Sequence, residues 1–287
     1  MHPTTLNVDG LYVETRGSGD PPVVLIHGLG AHSHSWREWM PGLTASHRTY
    51  AVDLAGFGRS PLPSSTEDLG PRAQAARVTA LIRSLDGPPP VLVGHSLGAG
   101  IAALSALRLR DEDPNRSPPA LVLVSGAVYA QALPPFLKLA RLPVIGDLML
   151  LPPPPRSIFR WGIREIVHDP DTVDSEMVEG YRGPLMSLGR RRAILRSARQ
   201  LDLAQAEPLA RRLPELDLPV LLVWGEEDPI IPVESGRRLA GDLPRAELVT
   251  LSGVGHLPPE EAPDRSLDPV LTFLADPGRI EGARERS

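Results

Sequence analysis

The sequence predicts an α/β fold: a mostly parallel central sheet with helices on both faces and an inserted helical cap. Three observations predict it. Short, uniformly apolar segments such as Val23–Ile26 alternate with segments of helical period, the rhythm of parallel strands covered on both faces. A serine stands in Gly94-His95-Ser96-Leu97-Gly98, between an apolar run and an Ala/Leu-rich helical run. From Val124 to Val220 the alternation stops and only helical spacing continues.

In chain order, residues 6–16 read as a first strand or hairpin arm, and Gly17-Ser18-Gly19-Asp20-Pro21-Pro22 as a turn. Val23–Ile26 is a buried strand, a helix starts near Ser35, and Thr49–Asp53 is the next strand. Residues 71–86 are helical, with Ala75, Val78, Leu81, Ile82 and Leu85 on one side. A strand over 91–94 leads to Ser96, a helix over 97–110 follows, and 120–124 is another buried strand. The rhythm resumes with a strand over 219–225, a helix over Val233–Asp242, a strand over 247–251 and a last helix over 267–275. Right-handed crossovers put these helices on both faces of the sheet. The segment between carries Leu142-Pro143, four prolines at 152–155 and Asp169-Pro170 as breaks. The expected organisation is therefore a core over 1–129 and 213–287, with a helical cap over 130–212 above the carboxyl edge of the sheet.

Composition narrows the function classes. The 287 residues suffice for one large domain with an insertion. Aromatic residues make up 4%, so the 41% apolar content must pack through Leu, Val and Ala. A net charge of −5 offers no general attraction to nucleic acid or to an anionic membrane. There is no cysteine, which excludes disulfides, thiolate chemistry and Cys-ligated metal. No basic-then-apolar leader and no run of membrane-spanning length is legible, so the sequence reads as soluble and cytoplasmic, without stable membrane insertion.

Ser96 is the candidate nucleophile. A glycine two places to either side makes room for a sharp strand-to-helix turn, in which the serine backbone is driven toward positive φ. A serine hydroxyl needs a base, and the base needs an orienting carboxylate. His256, in Gly253-Val254-Gly255-His256-Leu257, and Asp228, in Trp224-Gly225-Glu226-Glu227-Asp228-Pro229, each lie just past the carboxyl end of a strand, where reactive groups of open α/β sheets gather. Pro229 fixes the loop direction after Asp228; Glu226 and Glu227 compete for the acid role and are expected to face solvent. His95 is expected to pack and hydrogen-bond away from the reaction. Oxyanion donors are expected from the backbone N–H of Leu97, at the first turn of the following helix, and of Leu29, in the loop His27-Gly28-Leu29-Gly30.

Together, His27-Gly28-Leu29-Gly30, the loop Asp53-Leu54-Ala55-Gly56-Phe57-Gly58-Arg59-Ser60, the Ser96 pentapeptide, the Asp228 segment through Pro232 and Gly255-His256 resemble the α/β-hydrolase fold family. The resemblance is to its capped H-G-x-G, serine-esterase-like branch. It covers most of the chain and implies nucleophile, acid and base at Ser96, Asp228 and His256, and oxyanion donors at Leu29 and Leu97. It implies no cofactor. Family members with an aspartate nucleophile, the epoxide hydrolases and haloalkane dehalogenases, are disfavoured by Ser96. Hydroxynitrile lyases keep serine and stay open, although their usual capped-site lysine has no evident match here. Carbon–carbon bond hydrolases of ring-cleavage products often carry Trp after the histidine and Asn ahead of the first helix. This chain has Leu257 and Ser33-His34-Ser35-Trp36 instead. Carboxylic ester hydrolysis is the leading expectation; carbon–carbon cleavage and a non-enzymatic binding protein on the same scaffold stay open.

The cap is expected to set specificity for a small apolar or aromatic ester. Candidate lining residues are Leu133, Phe136, Leu137, Leu139, Met149, Phe159 and Trp161, and His32 after the oxyanion loop could touch substrate. The run Arg190-Arg191-Arg192, with Arg196 and Arg199, is expected to be a solvated helix face. No spacing of His or acidic residues suggests a metal site. Oligomeric state is not legible.

Overall fold

A computed structural model describes residues 4–8, 10–64, 69–130, 138, 141–142, 145–150, 152–153, 155–201, 203–279 and 284–286. Its centre is a sheet of strands β1 (Thr4–Val8), β2 (Leu11–Arg16), β3 (Val23–Ile26), β4 (Thr49–Asp53), β5 (Val91–His95), β6 (Leu121–Val124), β7 (Val220–Gly225), β8 (Ala246–Leu251) and β9 (Arg284–Arg286). The strand order is β1-β2-β4-β3-β5-β6-β7-β8-β9. β2 runs antiparallel to β1 and to β4; from β4 through β9 every pairing is parallel. The first strand expected over 6–16 is thus a hairpin, broken at Gly10, whose φ of 75° suits glycine at a tight turn. The β9 edge strand was not foreseen, since three residues reading Arg-Glu-Arg carry no apolar signal.

Every residue of β3 through β8 is buried, which explains the mainly apolar sequences of these strands; Thr49, Asp53, His95, Glu247 and Thr250 are the buried polar members. Alternate residues serve opposite faces. Val24, Ile26, Leu92, Leu121, Leu123, Leu222 and Leu248 join one core with α2 (Pro71–Ser84), α3 (Leu97–Glu112) and α9 (Val233–Asp242). Val23, Leu25, Val91, Val93, Val122, Leu221 and Val223 join the other with Trp36, Trp39, α1 (Met40–Thr44) and α10 (Pro263–Ala275). The helix expected near Ser35 is a 3₁₀ turn, Ser33–Trp36, followed by the short α1 with Pro41 in its first turn. The last helix starts earlier than its apolar pattern, because Pro263 is suited to a first turn, where its missing N–H costs nothing.

Between β6 and β7 lies an inserted helical region: α4 (Ile145–Leu150), α5 (Arg156–Arg164), α6 (Ser175–Arg182), α7 (Leu188–Arg199) and α8 (Leu203–Arg212). Its described residues form no strand. A separate apolar cluster, Ile163, Val167, Val173, Met177 and Val178, seats this cap on Leu257 of the core. The arginine run of α7 corrects the expectation of a solvated face. Arg191 is buried and donates to the carbonyls of Leu185 and Met186. Arg190 reaches the carbonyls of Ser60 and Phe57, and Arg199 that of Arg141. Only Arg192 of the triplet is exposed. These guanidinium groups donate to turn and loop carbonyls, a role their several N–H donors suit.

Candidate active site

The site is assembled at the carboxyl ends of β3, β5, β7 and β8. Ser96 follows β5 and caps α3 with φ 53° and ψ −118°. The positive φ was expected from the flanking glycines; the ψ lies outside the left-handed helical region. The glycines are needed for the reason the sequence suggested. A Cβ on Gly94 would strike the backbone of Gly98, and one on Gly98 would strike the carbonyl of Ile26. Ser96 N–H donates to Val124 O (2.9 Å), and Ser96 O accepts from Ala99 and Ala127 N–H (both 3.0 Å). The strained residue is therefore held on both backbone sides.

Ser96 Oγ lies 3.1 Å from His256 Nε2, and His256 Nδ1 lies 2.8 Å from Asp228 Oδ2. Since the carboxylate only accepts, Nδ1 carries the proton and Nε2 is the acceptor facing the hydroxyl. Asp228 is aimed by its own loop: Oδ1 accepts from the N–H groups of Ile230 (2.8 Å) and Ile231 (2.9 Å). Pro229, which has no N–H, stands between Asp228 and these two donors. Burial acts to raise the Asp228 carboxyl. The charge and hydrogen bond of His256, with the two N–H groups, outweigh it and hold the group below the usual carboxylate range. Glu227 is exposed, as expected, whereas Glu226 is half-buried and departs from the solvent-facing expectation. Glu226 accepts from Thr250 Oγ1 (2.9 Å) and Glu227 from Val254 N–H (3.1 Å), so both brace the loops around the site.

His95 is buried under the pair and donates from Nε2 to His256 O (2.8 Å). Its ring centroid is 5.1 Å from that of His256. Burial, then the neighbouring His256, lowers its pKa to about 3, so it is neutral in the folded protein. His27 is likewise buried and lowered to about 4 by burial. Its Nδ1–H donates to Gly28 O (2.7 Å) and its Nε2 accepts from Leu54 N–H (3.0 Å). That one ring ties the loop after β3 to the loop after β4.

Gly28 passes against the nucleophile: a Cβ there would stand 3.1 Å from Ser96 Cβ and 3.3 Å from His95 Nδ1. Leu97 follows Ser96 directly in the chain, and Leu29 follows Gly28. His32 points to the cap, with Nε2 2.9 Å from the carbonyl of Gly180 on α6. Phe159 packs with Ile163, Val167, Met177 and Leu257 beside His256, whereas Trp161 is 61% exposed. Leu133, Phe136, Leu137 and Leu139 lie outside the described residues, as does the side chain of Met149. Among the described residues no cluster of three His, Cys, Asp or Glu side chains is arranged to hold a metal. Nor is any helix there long and apolar enough to cross a membrane.

Two groups next to the triad were missed by sequence reasoning. Glu260 is buried and receives Arg37 Nη1 (2.5 Å) and the Tyr181 hydroxyl of α6. Burial raises its carboxyl against the opposing pull of Arg37. Glu261 accepts three backbone N–H groups around His256. The only sequence signal was an acidic pair shortly after the histidine, in Pro258-Pro259-Glu260-Glu261.

Comparison with known proteins agrees with this architecture. The chain is 30% identical to the uncharacterized hydrolase YugF of Bacillus subtilis over 278 residues, 93% of this chain and 96% of that protein. It is 31% identical to a pimeloyl-[acyl-carrier protein] methyl ester esterase of Chromobacterium violaceum over 249 residues, 86% of this chain and 91% of that one. It is 26% identical to a 2-hydroxy-6-oxononadienedioate/2-hydroxy-6-oxononatrienedioate hydrolase of a Pseudomonas species over 274 residues, 92% of each. A parallel sheet with a cap inserted after β6, and a serine, histidine and aspartate hydrogen-bonded at its carboxyl edge, support hydrolysis by a serine nucleophile. Residues 23–268 match the model of the alpha/beta hydrolase family, and the chain belongs to that family.

Proposed function

We propose that the protein hydrolyses carboxylic esters through an acyl-enzyme on Ser96. The observation that carries this reading is the continuous hydrogen-bonded path from Asp228 through His256 to the half-exposed Ser96 hydroxyl. Ser96 Oγ attacks the ester carbonyl carbon as His256 Nε2 takes its proton. The oxyanion is met by the backbone N–H groups of Leu29 and Leu97. Collapse breaks the carbon–oxygen bond, and His256 passes the proton to the departing alkoxide. Water, deprotonated by His256, then attacks the acyl-enzyme and frees the acid and Ser96. Asp228 stays ionised throughout and stabilises the imidazolium. In this reading the cap, taken as residues 130–212, supplies the apolar site for the acyl group, with Phe159 among its lining residues. The Chromobacterium relative, named for a methyl ester, supports this bond class.

A burst of chromogenic alcohol equal to the enzyme concentration is expected from a short acyl ester, and Ser96→Ala should abolish turnover. Undiminished turnover by that variant would overturn the mechanism. The Pseudomonas relative favours a second reading, cleavage of a carbon–carbon bond in a ring-cleavage dienoate by the same three residues. Turnover of such a dienoate with none on esters would select it. A binding protein without activity would leave Ser96 unlabelled by a fluorophosphonate.

A further inference from the structure

Four successive backbone N–H groups carry His256, and none of them ends on the sheet. Val254 donates to Glu227 Oε2 (3.1 Å), Gly255 to Glu261 Oε2 (2.9 Å), His256 to Ile166 O (2.8 Å) and Leu257 to Glu261 Oε1 (2.8 Å). Glu261 Oε2 also accepts the N–H of His168 (2.7 Å). One carboxylate therefore binds the residues on both sides of His256 and, with the same oxygen, a residue of the cap. The cap segment 166–168 touches the histidine loop so closely that a Cβ on Gly255 would stand 2.6 Å from His168 N and 2.9 Å from Ile166 O.

We infer that Glu261 is a positioning residue for His256, and that it makes the place of the imidazole depend on the docking of cap segment 166–168. Asp228 fixes the tilt of the ring through Nδ1, but it has no hold on the backbone that carries the ring. The distance from Nε2 to Ser96 depends on both. Three N–H groups around one carboxylate make strong, charge-assisted contacts, and losing the acceptor strands all three at once. The N–H groups of Gly255 and Leu257 then lose their acceptor, and the cap loses the bond from His168 N–H, keeping that from His256 N–H to Ile166 O. A cap lifted from the core would by the same route release the base from its serine. The inference rests on His256 acting as the base.

The test compares wild type, Glu261→Ala, Glu261→Gln and Gly255→Ala. Each is measured for kcat and KM on a short chromogenic ester, for the rate of Ser96 labelling by a fluorophosphonate, and for thermal midpoint. Displacing a reacting group by about 1 Å costs on the order of 100-fold in rate, so Glu261→Ala should lose about that in kcat and in labelling rate. Its KM should stay within about threefold, because the acyl site is untouched. Glu261→Gln keeps a carbonyl acceptor for one side of the loop and sets its amide N–H₂ against the other, so its kcat should fall between the two. Gly255→Ala, which pushes the cap segment away while leaving Glu261 in place, should also lose kcat. Should Glu261→Ala not fold, Glu261→Gln carries the comparison, with a loss in kcat and labelling of about tenfold at unchanged KM expected. Wild-type kcat and labelling in the Glu261 variants with only a lower midpoint, a loss confined to KM, or Gln as slow as Ala would overturn the inference. Failure of wild type itself to label would instead remove the reading of Ser96 and His256 on which it rests.

Discussion

Ser96 holds φ 53° and ψ −118° because the backbone on either side leaves it no alternative. Gly94 and Gly98 interlock, Val124 and Ala127 fix its peptide groups, and the hydroxyl is left facing His256 Nε2. Such conformations cost about 1–3 kcal/mol and persist only where the surroundings over-determine them. The tautomer of His256 is set just as tightly. Replacing Asp228 by Asn puts an N–H₂ or a single carbonyl where a carboxylate accepted three hydrogen bonds, and lets the imidazole carry its proton on Nε2, facing the serine. Asp228→Asn is expected to fold and to lose about 10⁴-fold in kcat, as an equivalent change does in other triads. Steady-state kinetics on the chromogenic ester check this, and a loss of tenfold or less would show that Asp228 is not the orienting acid. Ser96, Asp228 and His256 were legible because the glycines, prolines and strand ends that shape their turns are written in adjacent positions. Glu260 and Glu261 were not, since their partners, Arg37, Tyr181 and the N–H of His168, lie far away in the chain.

At the scale of elements, the buried parallel strands were the clearest signal, because burial on both faces favours runs of Val, Leu and Ile. Element ends were less clear. Pro41 and Pro263 stand in first turns, where no apolar period marks the helix start, and the 3₁₀ turn at Ser33–Trp36 is held by local bonds that have no period. The arginines of α7 show the limit best. Arg190, Arg191 and Arg192 are one monotonous run, yet only Arg192 is exposed, while Arg190 ties α7 to the loop after β4. A hydrogen bond from a charged group contributes about 1.5–3 kcal/mol, so Arg190→Met should destabilise by roughly that amount in urea unfolding. Arg192→Met should change stability by no more than about 0.5 kcal/mol. Equal effects of the two substitutions would mean that the loop contacts of Arg190 contribute nothing.

The whole molecule stores a dependence on acid. His27 and His95 are kept neutral by burial, with pKa values lowered to about 4 and about 3, and His34 is lowered to about 4 by burial and by Arg37. The unfolded chain binds protons at these sites near the ordinary histidine value of about 6.5, the folded one does not, and stability therefore rises with pH across the interval between. The contribution is complete above about pH 6.5 and is lost as the pH falls toward about 4. The raised carboxyl of Glu260 acts in the opposite sense, as one group against three. Thermal midpoints are expected to fall steadily from pH 7 to pH 4.5, and a flat profile over that range would show that these rings are not held neutral. The sequence by itself determined the α/β class, the strands of the parallel core, the helical insertion and the residues of the serine–histidine–aspartate set. Those features follow from period, burial and turn chemistry, which act between neighbours in the chain. Only the tertiary structure decided which carboxylates brace the histidine loop, which arginines are buried and where the cap touches the base. Such contacts join residues that are distant in the chain, and a hydrogen bond across that distance leaves no local pattern to read.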